Sequence, residues 1–259
     1  MNKLKQVDLV SYVKSNIGEF HAKKLEKVKT INLGDILKSK NPYLFKAKNV
    51  TKASEIIGGI LGAYISSSEE GIFGNWLERL AVHINYVVFG GQKAGVAGID
   101  LDFTNDDVRY LVTIKSGPVW GNDSQLKKMV DQFNTARKIL RTSGSKLNIK
   151  CINGCCYGRS RSATEYKKNG DYYKYCGQRF WELISGEKDL FKELIVPIGH
   201  EAKKHNEAFN ESYDSLVNRL TKEFLNDFSN ASGEIDWEKL IIYNSSWPEK
   251  LDIRKVNHI

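Results

Sequence analysis

Between Ile99 and Lys115 the chain alternates apolar and polar residues in two short runs, and this period of two constrains the fold more than any other stretch. Written as a strand, Ile99-Asp-Leu-Asp-Phe103 puts Asp100 and Asp102 on one face and Ile99, Leu101 and Phe103 on the other, because successive side chains of an extended chain point to opposite sides. Thr104-Asn-Asp-Asp107 reads as a polar turn. Val108–Lys115 follows as a second strand, in which Thr113 and Lys115 face the same way. The expected product is an acidic hairpin with one lysine at its end.

Upstream, Ile72, Phe73, Trp76, Leu77, Leu80, Ala81 and Ile84 recur at helical spacing and form the expected buried stripe. Glu78 lies off that stripe, near Gly74 and Asn75, on a face that small residues leave open toward the strands. Carboxylates on rigid elements are oxygen ligands for Mg²⁺, which keeps several waters and takes further ligands from a phosphate. A neighbouring ammonium stabilises the charge that builds on a pentacovalent phosphate, or helps to deprotonate the attacking water. Such a set suits phosphodiester hydrolysis. Taken singly, the same residues are also ordinary: strand-end acids, a solvated lysine and a helix-surface glutamate.

The order Glu78, Asp100, Lys115, with the aspartate opening one strand and the lysine closing the next, resembles the PD-(D/E)xK nuclease superfamily. More narrowly, Phe73-Gly74 with Leu77, Ile99-Asp100, Thr113-Ile-Lys-Ser-Gly117, Gln125 and Gly177–Ile184 are similar to the motifs of type II restriction endonucleases that cut GG/CC-rich palindromes. The likeness covers roughly residues 40–195. It implies an α/β restriction-endonuclease-like core, a mixed β-sheet flanked by helices, with extra N- and C-terminal helices. It further implies Mg²⁺-dependent cleavage of double-stranded DNA, with Asp100 and position 113 as metal ligands and Lys115 assisting hydrolysis. A homodimer is expected, because two-fold protein symmetry matches a palindrome; a cognate DNA methyltransferase is the expected partner system. Position 113 departs from the pattern, since Thr113 offers a neutral hydroxyl where a carboxylate belongs. Either Glu78 or Asp102 supplies the missing charge, or metal binding is weakened. Two alternatives stay open: a structure-specific repair or recombination nuclease, and a DNA-binding protein that has lost catalysis.

At 259 residues the chain can bury a substantial core without staples, and a single nuclease domain is expected over 1–259, with an N-terminal helical part (1–68), a core (69–195) and a C-terminal helical extension (196–259). The start Met-Asn-Lys-Leu-Lys-Gln lacks an apolar signal core, so a cytoplasmic protein with reduced thiols is expected. Cys151, Cys155, Cys156 and Cys176 do not make a zinc knuckle and read as small buried thiols. No apolar run is long enough to cross a bilayer.

The net charge of +8 is unevenly spread. Basic against acidic residues number 11 and 4 over 1–50, 4 and 8 over 51–112, 14 and 4 over 113–180, and 10 and 15 over 181–259. The acid-rich segment is bracketed by two basic ones, as a phosphodiesterase needs: positive charge for the polyanion, negative charge for the metal.

Along the chain, residues 4–29 read as a helix with a basic face, and 31–40 as a short helix ended by Asn41-Pro42. Thr51 caps a further helix to about Tyr64, in which Gly58, Gly59 and Gly62 cost helix propensity and point to close helix packing or a break; Ser66–Glu70 then caps the helix carrying Glu78. The glycine-rich approach 90–98 lacks a phosphate-loop motif. Ser116–Gly121 is a turn whose amides can approach a phosphate, and helix 123–141 begins with Gln125, which either contacts DNA or caps the helix. A strand is expected at 146–152. Residues 157–175 interleave Tyr157, Arg159, Arg161, Lys167 and Lys168 with glycine and read as a DNA-facing recognition loop, the alternative being a solvated loop. A short helix at 177–184, one long helix over 198–228 and a docking tail complete the chain.

Overall fold

A computed structural model describes residues 4–159 and 171–246. In chain order it contains α1 (Gln6–Lys29), α2 (Leu33–Lys38), α3 (Pro42–Ala47), α4 (Ala53–Phe89), β1 (Leu101–Asn105), β2 (Val108–Lys115), α5 (Asp123–Thr142), β3 (Asn148–Cys155), β4 (Tyr173–Cys176), α6 (Gln178–Ser185), α7 (Leu190–Glu193), α8 (Ile195–Ile198), α9 (Ala202–Phe228) and α10 (Trp237–Ser245). The chain divides into two compact units, one from 1–21 with 70–202 and the other from 22–69 with 203–259. The N-terminal helical part is thus divided: residues 1–21 go with the core, and 22–69 share a unit with 203–259.

The first unit holds a four-stranded mixed sheet in the order β1-β2-β3-β4. β1 and β2 are antiparallel, with Leu101 opposite Val112 and Asn105 opposite Val108. Asp106 and Asp107 between them have φ of 48° and 59°, the two-residue turn whose twist suits a hairpin and whose positive φ aspartate tolerates. β3 joins β2 in parallel through the α5 crossover, and β4 joins β3 in parallel. On one face Leu101, Phe103, Val112, Ile114 and Ile152 share a core with Trp76, Leu80 and Ile84 of α4 and with Phe180 and Trp181 of α6. On the other, Leu111 and Cys151 meet Met129, Phe133 and Ala136 of α5. The second unit has its own core, in which Ile36 and Leu37 of α2 and Ile56, Ile57 and Leu61 of α4 pack with Leu220 and Phe224 of α9.

Several local expectations are corrected. Ile99 belongs to the α5-side cluster, apart from Leu101 and Phe103, because the chain turns into the strand at Gly98 (φ 82°); the expected alternation begins only at Leu101. Residues 53–89 form one helix, with no break at Ser66–Glu70. Burial outweighs the glycine cost there, and Gly59 serves a close approach: a Cβ on it would lie 3.3 Å from the Phe45 ring. The short helix α2 ends before Asn41-Pro42 as expected, and Pro42 in addition opens α3, its missing N–H falling where no intrahelical partner exists. The long C-terminal helix starts at Ala202, because Glu201 has φ 54°. Among the described residues no helix is long and apolar enough to cross a membrane.

Candidate active site

Hairpin pairing carries Asp100 to the end of β2. Its N–H donates to the Val112 carbonyl (2.9 Å), and its Oδ2 accepts the N–H of Ile114 (2.7 Å). The carboxylate is therefore tied to the backbone one residue before Lys115, the last residue of β2. Helix α4 reaches the same place because Gly74 has no side chain: a Cβ there would already stand 3.3 Å from Cβ of Ser116. Glu78 follows one turn later, as the helical spacing implied.

The charges of Glu78, Asp100 and Lys115 act on one another. Burial pushes the Glu78 carboxyl above its ordinary value, and the negative charge of Asp100 pushes it further, while Lys93, Lys115 and Arg79 pull it down. Burial likewise raises Asp100, against the Ile114 N–H, Lys115 and Lys93. Two desolvated, mutually repelling carboxylates beside amines are a site that gains from a divalent cation. Among the described residues no cluster of three or more His, Cys, Asp or Glu forms a metal cage. Two carboxylates are hard oxygen donors, of the kind that a cation which keeps waters and borrows ligands from a phosphate would take.

The remaining expected site residues fall elsewhere. Asp102 is held at both oxygens by Arg109, with Nε–Oδ1 at 2.9 Å and a second guanidinium nitrogen 2.6 Å from Oδ2. Arg109 stands opposite Thr104 on the partner strand, a cross-strand neighbour that the separate reading of each strand concealed. Thr113 is buried and its hydroxyl donates to the Gly98 carbonyl (2.8 Å), so its proton is committed to the backbone. Gln125 closes a capping box on α5: its side-chain oxygen accepts the Asn122 N–H (3.0 Å) while the Asn122 side chain accepts the Gln125 N–H. That is the capping alternative of the two raised for it.

Tyr157 and Arg159 are exposed; Arg161, Lys167 and Lys168 lie outside the described residues. The proposed loop 157–175 is corrected at its end, where Tyr173–Cys176 forms β4; the tyrosine and lysine alternation there follows strand period. Tyr157, Arg159, Lys174, Tyr175, Arg179 and Lys188 line a cavity of about 950 Å³ beside β4 and α6. All four cysteines are free and buried, as expected, and burial raises the thiols of Cys151 to about 11 and Cys155 to about 12.

Sequence reading passed over Lys93, whose positive charge acts on both Glu78 and Asp100. Gln92 makes a two-way backbone bridge with Asp102 (3.0 and 2.8 Å), which extends the β1 edge and brings the next residue toward Asp100. Its signal was faint: one of only four basic residues over 51–112, set in a glycine-rich loop.

A mixed sheet whose hairpin ends in an aspartate and a lysine, with a helix supplying a glutamate, is the arrangement of a PD-(D/E)xK nuclease. The family model of the type II restriction endonuclease EcoO109I matches residues 7–206, a span that contains every residue discussed at this site, and the chain belongs to that family. It is a site-specific deoxyribonuclease that cuts double-stranded DNA. No curated protein sequence matches the chain.

Proposed function

We propose that this enzyme cuts a short palindromic DNA site in a Mg²⁺-dependent reaction, working as a homodimer inside the cell beside a methyltransferase of the same specificity. The carrying observation is the convergence of Asp100, tied to Ile114, with Glu78 and Lys115 at one end of the sheet. Asp100 and Glu78 would hold the cation, and Asp102, consumed by Arg109, would not. When bound, Mg²⁺ supplies Lewis-acid polarisation of the phosphate and lowers the pKa of water.

The protein's own part is placement. The Asp100 N–H and one carboxylate oxygen each bond the β2 backbone, so this carboxylate would be in position for a cation before DNA arrives. The Lys115 ammonium faces the developing negative charge on the phosphoryl oxygens and orients the attacking water in line with the scissile P–O bond. Water gives up a proton to solvent as its oxygen bonds to phosphorus, the P–O bond to the leaving sugar breaks, and the leaving oxygen takes up a proton from a solvent water. The basic lining around Arg159, Lys174 and Lys188 would contact DNA phosphates.

Digestion of several plasmid and phage DNAs with and without Mg²⁺, followed by end sequencing, tests this reading. Discrete fragments with one shared terminal sequence, produced only with the metal, are expected. Smears would mark a structure-specific nuclease. Tight binding without cutting would mean that Thr113, with its hydroxyl committed to Gly98, leaves too few metal ligands for catalysis.

A further inference from the structure

Behind the lysine strand, the segment 116–121 is held at several points. The Pro118 carbonyl accepts the Lys174 ammonium (2.6 Å), Gly117 lies so close under Tyr157 that a Cβ would stand 2.4 Å from its ring, and Gly121 (φ 69°) leads into the capped end of α5. The side chain fixed in this way is Trp120, half-buried against the α5-side cluster with Ala94, Val96 and Leu126. Its ring centroid lies 5.0 Å from Nζ of Lys115. Its indole N–H is buried and has no hydrogen-bond partner among the described residues.

These facts pull in opposite directions if Trp120 is a packing residue. Phenylalanine would fill much the same apolar space without stranding a donor, and an unpaired buried N–H costs stability. Indole, however, offers the strongest face for a cation, and a desolvated ammonium gains most from it. We propose that Trp120 is a positioning residue for catalysis: its ring holds the Lys115 ammonium in one place at the end of β2, so that the amine meets the scissile phosphate without first being ordered. A lysine otherwise loses considerable rotamer freedom on being fixed, and the ring supplies that order in advance.

This proposal rests on Lys115 being the catalytic amine, and one experiment separates the two. Trp120→Phe, Trp120→Leu and Lys115→Gln are compared for single-turnover cleavage with Mg²⁺, for affinity toward uncut site DNA without metal, and for thermal stability. Cleavage should fall in the order Trp, Phe, Leu, with Leu slower by roughly 2- to 30-fold, the range that a cation–π contact commands. DNA affinity should stay unchanged, and Trp120→Phe should melt no lower than the parent, since it removes the stranded donor. Parental cleavage in both Trp120 variants, or losses that track melting temperature or DNA affinity, would overturn the proposal. If Trp120→Leu fails to fold, the Phe variant still decides, because slower cleavage at unchanged stability has no packing explanation. Parental cleavage by Lys115→Gln would instead sink the reading of Lys115.

Discussion

Replacing Asp100 by Asn and by Ala separates what its charge does from what its oxygen does. Asn keeps an acceptor for the Ile114 N–H, whereas Ala leaves that buried donor unpaired. An unsatisfied buried backbone group costs about 1–3 kcal/mol, and each kcal/mol lowers the melting temperature by about 2–4 °C in a chain of this size. Asp100→Ala should therefore melt several degrees below the parent. Asp100→Asn should melt at or above it in metal-free buffer near neutrality, because it removes a desolvated charge that repels Glu78.

The pH dependence has a definite sign. Both carboxyls titrate above their ordinary values in the folded protein, so the folded state binds more protons than the unfolded one. Their contribution is fully present below the ordinary carboxylate range and is lost as pH rises through the raised values. The stability advantage of Asp100→Asn over the parent should thus widen as pH rises from about 4 to about 7. Mg²⁺ should reverse the ranking: at a hundredfold excess over its Kd a ligand stabilises by ~2.7 kcal/mol, and only the parent offers both carboxylates. Neither variant should cleave DNA. Thermal melts across pH, with and without Mg²⁺, read all of this. Equal destabilisation by Asn and Ala, an advantage that narrows with rising pH, or an equal Mg²⁺ shift in parent and Asn variant would refute the reasoning.

Glu78→Gln should slow cleavage by roughly 10²-fold or more, since metal stabilisation of the transition state is worth several kcal/mol, whereas Asp102→Asn should cut normally and lose about 1–3 kcal/mol of stability with its part-buried, two-bond Arg109 pair; the reverse ranking in cleavage would move the metal site along β1. Lys93→Gln should lower the single-turnover rate by roughly 10-fold with little change in DNA affinity, and Lys93→Arg should recover most of it; unchanged rates in Gln would remove Lys93 from the site. At pH 8 a thiol reagent should leave the native protein unlabelled and titrate four groups after unfolding, because burial keeps Cys151 and Cys155 protonated up to about 11 and about 12; rapid native labelling would show that the sheet opens.

The hairpin and most helices were legible in the amino-acid order, because apolar periodicity is a local property of a chain, and motif spacing singled out Glu78, Asp100 and Lys115 as the candidate site. The continuity of α4 was not, since Ser66–Glu70 carries the residue types of a helix cap and the glycines before it lower helix propensity, and only burial in the assembled cores outweighs both. The partners of individual polar groups were likewise decided by tertiary structure. Arg109 takes Asp102 across a strand pair, Gly98 takes the Thr113 hydroxyl, and a backbone bridge at Gln92 carries Lys93 beside the acids. Residue types and their periods select which elements form. Which carboxylate remains open to a cation depends on pairings that exist only once distant segments meet, because a hydrogen bond is settled by position within a few tenths of an ångström.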